Sequence, residues 1–374
     1  MMIEILDSTL REGEQTPGVS FSIVQKLEIA RLLDQFGVDI IEAGHPVVSE
    51  DIYRTVKAIA RENLEAEVLA HCRALTSDID KALDCGVDWV GIFYCITDKS
   101  LEQRFRTDIE GAVNVVASVV EYAKAHGLKV RYTPEDTVRS DFENVIRVSK
   151  AAIDAGADRI CIADTAGIMT PSGMRDFVTK MRMRLNVKLN VHCHNDLGMA
   201  AANSLTAIEA GAALVDVTIN GLGERTGIAP LAEVCTALKL VHKSEAKWKM
   251  DLLPEMSRIV EEYSGIKVSS QAPIVGRNAF RHNAGLHVAA VLLDPNYYES
   301  IPAEMVGRQR DVVLGKMSSK QTIMFKLDQL NLRLENGRVN ELLQHIKSNG
   351  CKEIGDEEFK ELVLQYGGGH GNAN

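Results

Sequence analysis

Eight short, β-branched and nearly continuous apolar runs recur along the chain at intervals of about 30 residues, the length of one strand–helix unit. They are IEILD (3–7), VDIIEAG (38–44), AEVLAHC (66–72), VDWVGIFY (87–94), LKVRYTP (128–134), ADRICIAD (157–164), VKLNVHCH (187–194) and LVDVTING (214–221). The segments between them have helical spacing. In SIVQKLEIARLLDQFG, Ile23, Leu27, Ile29, Leu32 and Leu33 fall largely on one face, and Gly37 stands where the helix stops. Runs that are continuous rather than alternating belong to a parallel sheet covered on its faces. Eight of them alternating with helices predict an α/β fold, a (β/α)8 TIM barrel over residues 1–250. A doubly wound open sheet is the rival, and no GxGxxG follows the first run to support it.

Past residue 250 the rhythm changes. LLPEMSRIVEEYSGI (252–266) reads as a helix, an irregular stretch rich in Asn, His and Tyr follows, and 319–365 is helical and amphipathic. The expected parts are a subdomain over 251–315, a helical subdomain over 316–366 and a disordered tail over 367–374.

Composition excludes several classes of function. Lys plus Arg is 42 against 52 acids, a formal charge of −10, which argues against a nucleic-acid or anionic-membrane binder. No window approaches the roughly 20 apolar residues of a membrane span. MMIEILDSTLREGEQ has no apolar signal core, so no export is expected. Seven cysteines without a CxxC pair suit a reducing cytoplasm better than a disulfide or zinc-ribbon scaffold.

In a barrel enzyme the residues just past the C-terminal ends of the strands face the active site. Asp7, Arg11, Glu12 and Gln15 follow the first run, His71 lies at the third, and Arg131 and Glu135 lie at the fifth. Asp164 and Thr165 follow the sixth, His192 and His194 the seventh, and Asn220 with GLGERTG (221–227) the eighth. Two residues apart on a strand, His192 and His194 point to the same side. With a carboxylate they could supply three ligands to a divalent metal, leaving positions open for substrate. Arg131 cannot shed its charge and needs an anionic partner inside a barrel. Glu135 is one candidate and a ligand is another. Asp7 and the glycines of 221–227 read equally as turn residues. His45, His126, His242 and His345 read as surface or helix residues without chemistry.

The blocks LDSTLREGEQTPG (6–18), YTPEDTVRSD (132–141), IADTAGIMTP (162–171), HCHNDLGMAAANSLTAIEAGA (192–212), INGLGERTGIAPL (219–231) and FRHNAGLHVAAVL (280–292) are similar to those of the DRE-TIM metallolyase superfamily. They resemble its Claisen-condensing branch in order and across about 290 residues. That branch includes isopropylmalate, citramalate and homocitrate synthases, which condense acetyl-CoA with a 2-oxo acid and hydrolyse the thioester. The resemblance implies a metal-dependent acyltransferase with Glu12, His192 and His194 as ligands to Mg, Mn, Zn or Co. It implies that Arg11 stabilises developing oxygen charge, that Gln15 and Thr133 line the site, and that Thr165 holds the 1-carboxylate. His287, with Tyr298 near it, matches the base that takes the acetyl proton, and Glu135 belongs with that catalytic group. His287 and Tyr298 would come from the partner of a homodimer with swapped C-terminal subdomains.

The same resemblance bears on the oxo acid. Arg131, His71 and Ile228 each match the members that take 2-oxoglutarate, so the expected product is homocitrate, and the expected use is lysine biosynthesis. Isopropylmalate, citramalate and Re-type citrate synthesis are the alternatives. Asn190 and Gly91 depart from residues some relatives carry, Glu and a lysine-binding Asp respectively, so metal tuning and lysine feedback need not carry over. The lyases of the superfamily place a reactive Cys in the glycine loop, and GLGERTGIAP has none.

Overall fold

The computed structural model describes residues 3–348, 350 and 353–370. Its strands β1 (Glu4–Asp7), β2 (Ile40–Gly44), β3 (Glu67–Arg73), β4 (Trp89–Cys95), β5 (Lys129–Glu135), β6 (Arg159–Asp164), β7 (Lys188–Cys193) and β8 (Leu214–Val217) form a closed barrel. All pairings are parallel, and β1 closes the ring by pairing with both β2 and β8. The expected barrel is present, with each strand inside or overlapping its apolar run. Only the eighth run is much shorter as a strand, because Ile219–Gly221 turns into a 3-10 helix.

The helices follow the strands as the spacing predicts. Helix α1 (Ile23–Phe36) starts in a capping box, Ser22 with Gln25, which satisfies two backbone donors at once. It buries Ile29, Ala30, Leu33 and Phe36 against the barrel. Its buried face also includes Lys26, whose ammonium is 2.5 Å from Glu14. The face is therefore displaced from the expected one, because a paired lysine can go where the apolar pattern predicts a leucine.

The barrel interior is layered. Leu6, Ile40, Leu69, Trp89 and Leu214 form one buried apolar cluster. Side chains alternate along a strand, so the residues two positions further on face the same way. Those residues are Ser8, Glu42, His71, Gly91 and Asp216. A polar layer thus lies directly above an apolar floor.

Two compact units divide the chain at Val268/Ser269. The helix Leu253–Ser264, expected to open the appendage, belongs with the barrel: Tyr263 donates to Glu28 at 2.6 Å, and Asn220 donates to the Ser257 carbonyl at 2.9 Å. In the second unit Leu314, Ile323, Leu342, Ile346, Phe359 and neighbours form a separate core. Of the expected tail, Gly369–His370 pairs with Leu332–Arg333, and 371–374 lie outside the described residues.

Candidate active site

Ten of the sequence candidates line a single cavity of about 300 Å3 at the barrel mouth. They are Arg11, Glu12, Gln15, His71, Arg131, Thr133, Glu135, Thr165, His192 and His194. Strand ends put them there, as the barrel geometry requires. Asp7 and Asp164 do not line it. The Asp164 carboxylate accepts from the backbone N–H groups of Ile168 and Met169, a turn role.

Glu12, His192 and His194 are all buried, and their donor atoms lie within 4.8 Å of one another. His192 Nδ1 is 3.0 Å from Asp216 Oδ2. A carboxylate only accepts, so Nδ1 carries a proton and Nε2 is the ring atom left to face a cation. His194 is held neutral, its pKa lowered to about 4 by burial and by His192. Its Nδ1 is buried without a hydrogen-bond partner. Burial works against the Glu12 charge, yet Arg11, His192 and His194 outweigh it and keep the pKa low. A carboxylate and two imidazoles gathered this closely fit a divalent cation.

The glycine loop serves this group. Glu224 N–H donates to Glu12 Oε1 at 2.9 Å, and Gly223 N–H donates to Thr16 Oγ1 at 2.8 Å. A Cβ on Gly223 would come within 3.0 Å of Glu12 Oε1, so the backbone approaches that carboxylate through a residue without a side chain.

The partners of Arg131 differ from the expected one. Glu135 meets Arg104 at 3.4 Å. Arg131 instead reaches Glu42 with Nη2 and Asp216 with Nη1, both at 3.0 Å. Burial disfavours its charge, but Asp216 and Glu42 outweigh that and raise its pKa. Glu42 is a hub: it accepts from Arg11 Nε at 2.8 Å, from His71 Nδ1 at 3.0 Å and from the Ser8 hydroxyl. Burial alone would raise the Glu42 pKa; Arg11, Arg131 and His71 hold it well below the carboxylate range. His71 is kept neutral, its pKa near 4, by burial and by Arg11, against the pull of Glu42. Asp216 joins the two halves, since it also accepts from Asn190 Nδ2 at 2.9 Å. The Asn190 amide thus orients the carboxylate that orients His192.

Sequence reasoning missed Glu42, Asp216 and His45. The first two carried a signal: an acid in the middle of an apolar strand must be paired if it faces inward. His45 was misread as a surface residue. It lines the cavity, its Nε2 is 3.1 Å from the buried Asp78, and its ring meets His71 edge-on at 5.7 Å. Ile228 is fully buried and bridges to His194 rather than lining the cavity. In the second unit the rings of His287 and Tyr298 stack at 4.1 Å.

The HMGL-like family matches residues 2–260, and the homocitrate synthase post-HMGL domain-like family matches 274–353. The chain belongs to the HMGL-like family. Among curated relatives, it is 50% identical over 345 residues to a homocitrate synthase of Pyrococcus abyssi, covering 92% of this chain and 95% of that one. It is 49% identical to a homocitrate synthase of Pyrococcus horikoshii, over 96% of this chain and 98% of that one. Within the HMGL-like family it therefore groups with the homocitrate synthases, which are acyltransferase enzymes. A solved HMG-CoA lyase from Bacillus subtilis superposes with a TM-score of 0.66 at 20% identity, over 72% of this chain and 96% of that one. That likeness is one of fold.

Proposed function

We propose that this chain condenses acetyl-CoA with 2-oxoglutarate and hydrolyses the thioester, giving homocitrate and CoA. The observation that carries the reading is one cavity holding both the Glu12, His192 and His194 donor set and the buried Arg131. A divalent cation held by those three residues would act as a Lewis acid on the 2-oxo carbonyl.

The chain's own residues supply the rest. Thr165 Oγ1 accepts from Asp136 N–H at 3.0 Å, which turns its hydroxyl hydrogen outward to donate to the 1-carboxylate. Thr133 lines the cavity and offers its hydroxyl to the substrate. Arg131, with neutral His71 beside it, receives the distal carboxylate. An apolar 2-oxo acid would cover that polar layer without offering it an acceptor, which is the basis of discrimination. Arg11, already in place, stabilises negative charge as it develops on oxygen. His287 takes a proton from the acetyl methyl, Tyr298 stacks on it, and Glu135 assists. The resulting carbon nucleophile forms the new bond to the 2-oxo carbon, and water then cleaves the thioester, releasing the thiol.

His287 and Tyr298 come from the partner of a homodimer with swapped C-terminal units. The setting is the cytoplasm, and the product enters lysine biosynthesis. Support for a reducing compartment comes from six described cysteines, all unpaired and buried. No described helix is long and apolar enough to cross a membrane.

Thiol release from acetyl-CoA tests the reading, with 2-oxoglutarate, oxaloacetate, 2-oxoisovalerate and pyruvate in parallel, with and without chelator. Chelator-sensitive release with 2-oxoglutarate foremost is expected. Preference for 2-oxoisovalerate or pyruvate would overturn the substrate while leaving the chemistry standing.

A further inference from the structure

Gly91 is the third residue of β4, and in register it lies between His71 on β3 and Arg131 on β5. It shares their inward face. Nothing in its backbone calls for glycine, since it is not among the residues with positive φ. Glycine inside a strand weakens it, unless another group needs to come close.

Here that group is Arg131. A Cβ at position 91 would lie 3.1 Å from Arg131 Nη2, 3.5 Å from Nε and 3.0 Å from Leu69 Cδ2. The guanidinium therefore occupies room that any other residue would fill, with Leu69 of the apolar floor beside it. Its remaining sides are fixed by bonds, Nη1 to Asp216 and Nη2 to Glu42. The side toward Gly91 is fixed by contact alone, and Nε is buried without a partner.

We propose that Gly91 is a positioning residue for specificity: by its missing side chain it sets how deep the Arg131 guanidinium sits, and so which length of 2-oxo dicarboxylate fits. This rests on the reading of Arg131 as the partner of the distal carboxylate. A methyl group at 91 displaces the guanidinium toward the cavity and shortens the span from the metal-binding set to the carboxylate anchor. Oxaloacetate is one methylene shorter than 2-oxoglutarate, and one methylene in a fitted pocket discriminates by about 10- to 200-fold.

The test uses the full-length protein as wild type, Gly91→Ala, and the double variant Gly91→Ala with Leu69→Val. kcat and KM are measured for 2-oxoglutarate and oxaloacetate, with thermal unfolding alongside. Gly91→Ala is expected to lower the 2-oxoglutarate-to-oxaloacetate ratio of kcat/KM about tenfold, chiefly through KM for 2-oxoglutarate. The double variant relieves the Leu69 contact, guards against misfolding of the single one, and should keep the lowered ratio. A ratio unchanged within about twofold would overturn the inference. So would its recovery in the double variant, which would trace the effect to Leu69. A general loss of stability would lower turnover of both acids equally and leave the ratio alone. If wild type turns over neither diacid, the functional reading fails instead.

Discussion

Two layers stacked inside the same barrel differ in chemistry and in role. The lower one, with Leu6, Ile40, Leu69, Trp89 and Leu214, is a dry apolar floor. The upper one, two residues along the same strands, holds Ser8, Glu42, His71 and Asp216, with Arg131 from β5 bonded into it. The floor supplies stability through dispersion and exclusion of water. The upper layer buries charge, which contributes little net stability and is costly to break. Its retention is therefore explained by the chemistry it positions. Floor residues thus serve folding and upper-layer residues serve binding and turnover, so substitutions in the two layers should have different effects.

The largest effect is expected above the upper layer. His194→Ala removes one of the three side chains proposed to hold the metal, and should lower metal affinity and turnover more than about 100-fold, with little change in the thermal midpoint of the metal-free protein. Metal analysis after dialysis, together with thiol release, checks this. Asp216→Asn acts one bond away, through the Nδ1 proton of His192. It should weaken metal affinity about 10- to 100-fold, read by chelator competition, and raise KM for 2-oxoglutarate through Arg131. If metal affinity is unmoved, the two halves of the site are not joined through Asp216.

Leu69→Ala should do the opposite, since Leu69 is fully buried in the floor. A loss of about 2–5 kcal/mol in denaturant unfolding is expected, with metal affinity of the folded fraction preserved. An unchanged stability would mean that the floor is not where the barrel is held.

The smallest effect concerns Asp7, whose carboxyl is pushed up to about 7 by burial, with Asp216 and Glu42 adding to it and its Thr9 contacts opposing. A raised carboxyl binds its proton more tightly in the folded state. Its contribution is complete below the unfolded value and is lost as pH rises from about 4 through 7. Asp7→Asn lacks that loss, so its stability relative to wild type should rise over this window. Urea midpoints at pH 4.5 and 7.5 read it; parallel curves would contradict the buried, protonated state. His71 runs the other way: its lowered pKa near 4 means stability is lost as pH falls from about 6.5 toward 4. The two slopes oppose each other, which is why the variant rather than the wild type is informative.

The barrel was legible because each strand announces itself locally. A parallel strand covered on both faces must be apolar along its length, and eight such runs at one spacing leave few topologies. The candidate site was legible for a related reason. Polar residues at strand ends, such as Arg11, Glu12, Thr165, His192 and His194, have no place in a core and must converge at the mouth. His45 was not legible. It follows β2 as turn residues do, and only the fold brings it to Asp78 and His71. The boundary at Val268 was also hidden, because the helix Leu253–Ser264 is amphipathic whichever unit it joins.

Sequence alone therefore determined what each residue could do: the strand count, the same-face pair of histidines, and an arginine whose charge had to be met. Such properties follow from local chemistry and from periods of two and of 3.6 residues along the chain. Only the tertiary structure decided which charges meet. Arg131 and Glu42 are far apart in sequence, as are Arg131 and Asp216, yet each pair closes to 3.0 Å. Barrel closure, not spacing along the chain, sets those distances. It gave Arg131 two carboxylates that the sequence did not assign to it, left Glu135 to Arg104, and placed a glycine where the guanidinium needed room.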